Sequence, residues 1–167
     1  MENKTYNVLF LCTGNSARSI MAEALLNVLG KGRFNAFSAG SDPRGEVQPM
    51  ARELSEALGY DTARMRSKSW DEFSGDGAPE MDIIITLCDN AAGEACPVWI
   101  GHPALAHWGV PDPAAVSGDE DTRRHAYTAA FAMLRRRIEL LVSLPLEQLD
   151  HLAAQAKLHE IGGVGAG

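Results

Sequence analysis

The sequence is short of cysteine: three among 167 residues. An odd number, in what reads as a reducing compartment, argues against a disulfide framework and leaves catalysis, redox work or metal binding. It also lacks any apolar run approaching the roughly 20 residues of a membrane span. Its opening Met1-Glu2-Asn3-Lys4 lacks the charged-then-apolar form of a signal peptide. The expectation is a cytoplasmic chain that neither crosses nor adheres to a membrane. Positive charge is missing as well: a net charge of −7 disfavours nucleic acid and anionic lipid as partners. The same charge repels an anionic substrate, so any oxyanion site must work through a local field. No internal repeat and no linker divides the chain. What is present is ordinary for one α/β domain with a sizeable core, at 46% apolar and 22% charged residues.

The stretch that carries chemistry is Cys12-Thr13-Gly14-Asn15-Ser16-Ala17-Arg18-Ser19. It follows the apolar run Val8-Leu9-Phe10-Leu11 and precedes a helical pattern with Met21, Leu25, Val28 and Leu29 on one face, so it reads as a strand-to-helix turn. Unpaired N–H groups and the positive dipole end at a helix start favour a tetrahedral oxyanion, and Gly14 and Asn15 tolerate left-handed backbone. Thr13, Gly14, Asn15, Ser16, Ala17, Arg18 and Ser19 are therefore the candidate oxyanion-binding residues. Arg18 adds a planar fork for two oxygens. Cys12, at the mouth, is expected to have a lowered pKa and to act as a thiolate nucleophile, with Ser19 able to donate to the sulfur. A cysteine and an arginine separated by five residues is a weak signal by itself, and a cysteine ending a strand is often only a small hydrophobe. The position between strand and helix, with Gly-Asn inside and Arg-Ser closing, gives it weight. A nucleotide-binding loop is excluded, because no Gly-Lys-Ser/Thr follows the glycine.

Strand-like runs recur at Tyr6-Leu11, Phe34-Ala39, Met81-Leu87 and Val98-Ile100, with helical patterns between most of them. This alternation predicts a parallel sheet covered by helices on both faces. Pro49 fits the start of the second helix and Gly59 its end, with Met50, Leu54, Ala57 and Leu58 as its stripe. A long helix opens at Asp119 to Asp121 with an apolar face of Tyr127, Phe131, Leu134, Ile138, Leu141 and Val142, on which Arg135-Arg136-Arg137 reads as a solvated flank. The expected organisation is a single catalytic domain over 1–160, including a C-terminal helix over 146–160, and a disordered glycine-rich tail over 161–167.

Three further groups complete the candidate chemistry. Asp112 lies between Pro111 and Pro113, which hold it extended. Either it forms a turn, or it is the carboxyl acid with raised pKa that must protonate the oxygen expelled by thiolate attack. Cys88, delivered by the third strand to the edge where Cys12 also sits, and Cys96 bracket a short segment. Were that segment one helix, its eight steps would separate the two α-carbons by about 12 Å, beyond the roughly 7 Å a disulfide tolerates. Oxidation therefore requires bending or melting, which Gly93 and the lack of a large apolar anchor permit. The two thiols are either unrelated or a redox relay, and a nucleophilic cysteine elsewhere favours the relay. Zinc held by Cys88, Cys96, His102 and His107 lacks the usual paired spacing, and no metal is assigned.

Cys12 to Ser19, Ser38-Ala39-Gly40, Thr86-Leu87-Cys88, Cys96-Pro97 and His107-Trp108-Gly109 with Asp112-Pro113 together resemble the low-molecular-weight protein tyrosine phosphatase superfamily, and within it the arsenate reductases, from about Tyr6 to Leu144. The resemblance implies a four-stranded parallel sheet flanked by helices, Cys12 as nucleophile, Arg18 on the oxyanion and Asp112 as general acid. Ala17 replaces the second loop cysteine of the phosphatases, and Ala114-Ala115 replace the aromatic wall for a phosphotyrosine ring. Cys88 and Cys96 match the resolving cysteines of the thioredoxin-linked reductases. Other members use glutaredoxin with a small thiol such as glutathione, so an external thiol reductant and no bound cofactor is the expectation. Some members hold potassium near the loop, where Asn15, Glu23 and Ser38 would correspond, but Trp70 stands where the acidic partner is expected. Reduction of arsenate to arsenite through Cys12, Cys88 and Cys96 is the reading taken forward. A phosphate-monoester phosphatase working through Cys12 and a non-catalytic oxyanion sensor are the alternatives.

Overall fold

The computed structural model describes residues 5–73, 77–87 and 103–163. Four strands, β1 (Tyr6–Cys12), β2 (Phe34–Gly40), β3 (Ile83–Thr86) and β4 (Ala104–His107), form one parallel sheet in the order β2-β1-β3-β4. β1 is flanked on both sides, Val8 pairing with Ala36 of β2 and Ile83 of β3, and its Val8 to Leu11 run is fully buried. A strand with both faces covered needs such a continuous apolar run. The chain adds β2 on one side of β1 and then crosses to add β3 on the other. In open parallel sheets the crevice outside the carboxyl ends at such a reversal is where ligands bind. Cys12 is the last residue of β1.

Period two along the strands divides the core. Val8, Phe10, Ile83 and Ile85 join the larger cluster, built with α1 (Arg18–Leu29), α3 (Glu120–Val142) and α4 (His151–Gly162) through Met21, Leu25, Leu134, Ile138 and Leu158. Leu9, Leu11 and Ile84 point the other way, onto Trp70, Phe73 and Met81. Among the described residues that second face is covered by the 3-10 turn Trp70–Phe73. Residues three apart eclipse in such a turn, so two large aromatic side chains do the covering. α2 (Pro49–Leu58) matches expectation, with proline in its first turn and Gly59 ending it at φ 103°.

The fourth strand is Ala104–His107, while the 98–100 run lies outside the described residues. Ala-Leu-Ala-His has little intrinsic β preference, and its pairing with Ile83 to Thr86 makes it a strand. The C-terminal helix does not start at 146: Leu146–Gln148 is a 3-10 turn, Leu149 is extended, and α4 begins at His151. The reason is Asp150, whose Oδ1 accepts the Ala153 N–H at 2.8 Å and caps a new helix. α4 then runs to Gly162 instead of fraying at 161, and 164–167 lie outside the described residues. Arg137 is fully buried, although Arg135 and Arg136 are exposed as expected. At 3.6 residues per turn, position 137 falls on the face of Ala130, Leu134 and Leu141. No described helix is long and apolar enough to cross a membrane.

α4 docks on the edge strand. Gln155 Oε1 accepts the Leu105 N–H at 3.0 Å, and Trp108 Nε1 donates to the Leu158 carbonyl at 2.9 Å. At Gly162 an added Cβ would stand 2.6 Å from the His107 carbonyl oxygen and 2.9 Å from Trp108 Cδ1. Helix propensity alone favours Gly162→Ala by about 1 kcal/mol, whereas overpacking against backbone costs about 1–3 kcal/mol. The contact wins, so Gly162→Ala is expected to lower the urea midpoint of unfolding; an unchanged or raised midpoint would show that α4 is not seated on Trp108.

Candidate active site

The loop after β1 is fixed by what its carbonyl oxygens bind. Those of Cys12, Thr13, Gly14 and Ser16 accept from the backbone N–H groups of Ser41, Asp42, Arg44 and Gln48 at 3.3, 2.9, 3.0 and 2.9 Å, and the Ser67 hydroxyl adds a second bond to Gly14 at 3.1 Å. The C=O and N–H of one peptide unit point in opposite directions. Outward carbonyls therefore turn the N–H groups of Thr13, Gly14, Asn15 and Ala17 toward the loop's concave side. Asn15 stands at φ 44°, a left-handed value that asparagine tolerates, and its N–H donates to Cys12 Sγ at 3.3 Å. α1 starts at Arg18 with no side-chain cap and no acidic residue in its first turn. A positive helix end left uncapped over inward N–H groups is an anion cradle. Gly40 forms its wall: an added Cβ would overlap the Thr13 carbonyl oxygen and lie 3.0 Å from Asn15 N.

Cys12 is buried at the base of this cradle, its Sγ 2.9 Å from Ser19 Oγ. Ser19 Oγ accepts from Asn15 Nδ2 at 2.8 Å, which leaves its proton free to point at the sulfur. With the Asn15 N–H this makes two donors, the surroundings a thiolate needs. Arg18 closes the rim. Its Nη1 donates to the Val110 carbonyl at 3.1 Å and its Nη2 lies 3.5 Å from Asp112 Oδ2. Asp112 forms the turn of its first reading, its Oδ1 capping Pro113–Ala115 through the Ala114 N–H at 3.0 Å, while its Oδ2 faces Arg18. Cys88, Cys96 and His102 lie outside the described residues. Leu87, next in sequence to Cys88, donates its N–H to the carbonyl of Leu11, next to Cys12, at 2.8 Å. His107 Nδ1 lies 2.7 Å from Thr86 Oγ1, and among the described residues no cluster of His, Cys, Asp and Glu has metal-ligand form.

Sequence reasoning missed Lys68. Its N–H donates to Asn15 Oδ1 at 2.8 Å, and its buried ammonium lies 3.3 Å from Ser38 Oγ, 3.1 Å from the Arg66 carbonyl and 3.7 Å from Glu23 Oε1. Ser38 and Tyr60 donate to the two oxygens of Glu23 at 3.1 and 3.2 Å. Burial lowers the Lys68 pKa against the opposing pull of Glu23, and burial together with Glu23 pushes the Tyr60 hydroxyl up to about 12. The legible signal was Glu23 itself, an acid among Met21, Ala22, Ala24 and Leu25 that cannot be buried without a cation. The same geometry answers the question of potassium: Glu23 and Ser38 already face an ammonium, and a second cation within a few ångströms of it would be repelled. The residues present do not fit an added ion.

The family model described as low molecular weight phosphotyrosine protein phosphatase matches residues 7–155. The arsenate reductase of Bacillus subtilis is 36% identical over 123 residues, 74% of this chain and 84% of that protein. Arsenate reductase 1 of Staphylococcus epidermidis is 34% identical over 139 residues, 83% of this chain and all of that one. Among solved structures, the arsenate reductase from Archaeoglobus fulgidus is 31% identical with a TM-score of 0.63, over 82% of this chain and 99% of that one.

Removing one member of a buried ion pair leaves the other charge uncompensated, at a cost of about 3–5 kcal/mol. Lys68→Met is expected to lose about that much in chemical denaturation, and the double variant with Glu23→Gln to recover most of it. A double-variant loss equal to the sum of the Lys68→Met and Glu23→Gln losses would show that the pair is not energetically coupled.

Proposed function

This chain belongs to the low molecular weight phosphotyrosine protein phosphatase family and stands with its arsenate reductases, and from that premise we propose that it reduces arsenate to arsenite through a relay of Cys12, Cys88 and Cys96. The carrying observation is the Leu87 to Leu11 hydrogen bond, which sets the chain entering Cys88 beside the chain entering Cys12. A hydrolase needs no cysteine at position 88. Ala114 and Ala115, following Asp112-Pro113, offer no ring surface for an aryl ester.

In the proposed sequence arsenate settles on the inward N–H groups and the Arg18 fork, displacing the Asp112 carboxylate from that fork, and the freed carboxylate takes up a proton from the bound arsenate. The Cys12 thiolate attacks arsenic, and the expelled oxygen leaves as water with a proton from Asp112. The Cys88 thiolate then attacks Cys12 Sγ. The sulfur–arsenic bond breaks with its electron pair remaining on arsenic, so As(V) becomes As(III) and two thiols become the Cys12–Cys88 disulfide. Cys96 attacks Cys88, Cys12 is released as thiolate, and the Cys88–Cys96 disulfide is reduced by an external thiol donor, thioredoxin or a glutaredoxin with a small thiol. Phosphate fits the same cradle but cannot follow this route, because a thiol does not reduce phosphorus.

Arsenate-dependent NADPH oxidation, measured with thioredoxin and glutaredoxin systems supplied separately, tests the relay. Cys12→Ser, Cys88→Ser and Cys96→Ser are each expected to abolish turnover, while any slow hydrolysis of an aryl phosphate survives in the latter two. Undiminished reduction in both Cys88→Ser and Cys96→Ser would replace the relay by direct attack of a small thiol. Arg18-dependent anion binding without turnover under either reductant would leave an oxyanion sensor.

A further inference from the structure

Arg137 is a fully buried guanidinium on the apolar face of α3, among Ala130, Leu134, Ile138 and Leu141. A methionine or leucine would fill comparable volume there without the cost of taking a charge out of water. Burial lowers the Arg137 pKa, the direction expected of a cation held away from solvent. Its Nη1 donates to the Gly109 carbonyl at 3.0 Å. Gly109 lies three residues before Asp112, in the segment leaving β4.

The bonds along that segment show what this contact controls. Trp108 N–H donates to the Thr86 carbonyl at 2.7 Å and Val110 N–H to the Leu87 carbonyl at 3.0 Å, which tie the segment to β3. The Val110 carbonyl takes Arg18 Nη1, on the anion side. The Gly109 carbonyl takes Arg137, on the helix side. Gly109 has no side chain to restrict its rotation, whereas Pro111 and Pro113 stiffen the chain on either side of Asp112. Asp112 thus rides on a short stiff arm whose most easily rotated residue is Gly109, held by its hydrogen-bonded neighbours and by Arg137. Three extended residues make an arm of about 10 Å, so a rotation of about 10° at Gly109 would carry the carboxyl by roughly 1.7 Å. A misplacement of about 1 Å is enough to cost as much as a hundredfold in rate.

We propose that Arg137 is a positioning residue that fixes the pivot at Gly109 and thereby holds Asp112 at the rim of the Cys12 loop. The inference rests on the reading of Asp112 as general acid. Its distinguishing consequence is that Arg137 matters only while Asp112 is there to be placed.

The test is a double-mutant cycle of Arg137→Met and Asp112→Asn on arsenate reduction, with phosphate as competitive inhibitor reporting the integrity of the loop. Arg137→Met is expected to lower kcat/KM for arsenate by about tenfold to a hundredfold, with the Ki for phosphate unchanged within about twofold. In the Asp112→Asn background the same substitution is expected to change kcat/KM by less than about twofold. Arg137→Lys keeps the buried charge but shortens and reshapes the donor. It should lie between wild type and Arg137→Met, and it carries the same cycle if the methionine variant does not fold. Full multiplication of the two losses, or a phosphate Ki that rises in step with the loss, would make Arg137 a structural residue and overturn the inference while leaving the acid role intact. If Asp112→Asn itself leaves kcat/KM unchanged, the acid reading falls and the positioning role falls with it.

Discussion

The direction of the peptide units after Cys12 is the constraint on which the site depends. A loop of eight residues binds an anion only if its N–H groups converge, and convergence requires that the paired carbonyl oxygens be occupied elsewhere. Here the segment 41–48 supplies those partners, through the N–H groups of Ser41, Asp42, Arg44 and Gln48. The turn-rich stretch after β2 is therefore part of the cradle. Its entry at Gly40 is narrow enough that a methyl group would strike the Thr13 carbonyl.

Behind the loop, the left-handed Asn15 is held by both ends of its amide, to Lys68 N and to Ser19 Oγ. Lys68 in turn neutralises Glu23, which Ser38 and Tyr60 also bond. A sulfur nucleophile at the floor, an asparagine that shapes the loop and a buried ion pair thus form one connected polar network under an otherwise apolar helix. Networks of this kind are costly when incomplete and rigid when satisfied. The chain supplies its own cation at this place, the Lys68 ammonium.

In front of the loop the demands are different. On the proposed mechanism Asp112 yields Arg18 to an incoming oxyanion, and it is not buried in a network of its own. It sits one quarter exposed and 3.5 Å from the guanidinium. Its placement is transmitted from a distance, through Gly109 to α3 and through Trp108 to the C-terminal helix. The C-terminal helix supports the segment that carries Asp112.

The sequence alone determined the features whose causes are local. Cys12, Gly14, Asn15, Arg18 and Ser19 fall within eight residues between a buried strand and a helix start, and Pro49 and Gly59 mark the ends of α2, because turn, cap and strand preferences act over a few residues. Tertiary structure decided whatever depends on partners far along the chain. Ala104–His107 is a strand only because β3 lies beside it. Lys68 and Glu23 are 45 positions apart in the sequence and meet under the loop. Arg137 is separated from its solvated neighbours Arg135 and Arg136 only by the phase of the helix and by the Gly109 carbonyl that faces it, 28 residues away. Composition cannot distinguish a buried charge from an exposed one, since burial is a property of what packs against the residue, and that is settled only when the sheet and helices close over it.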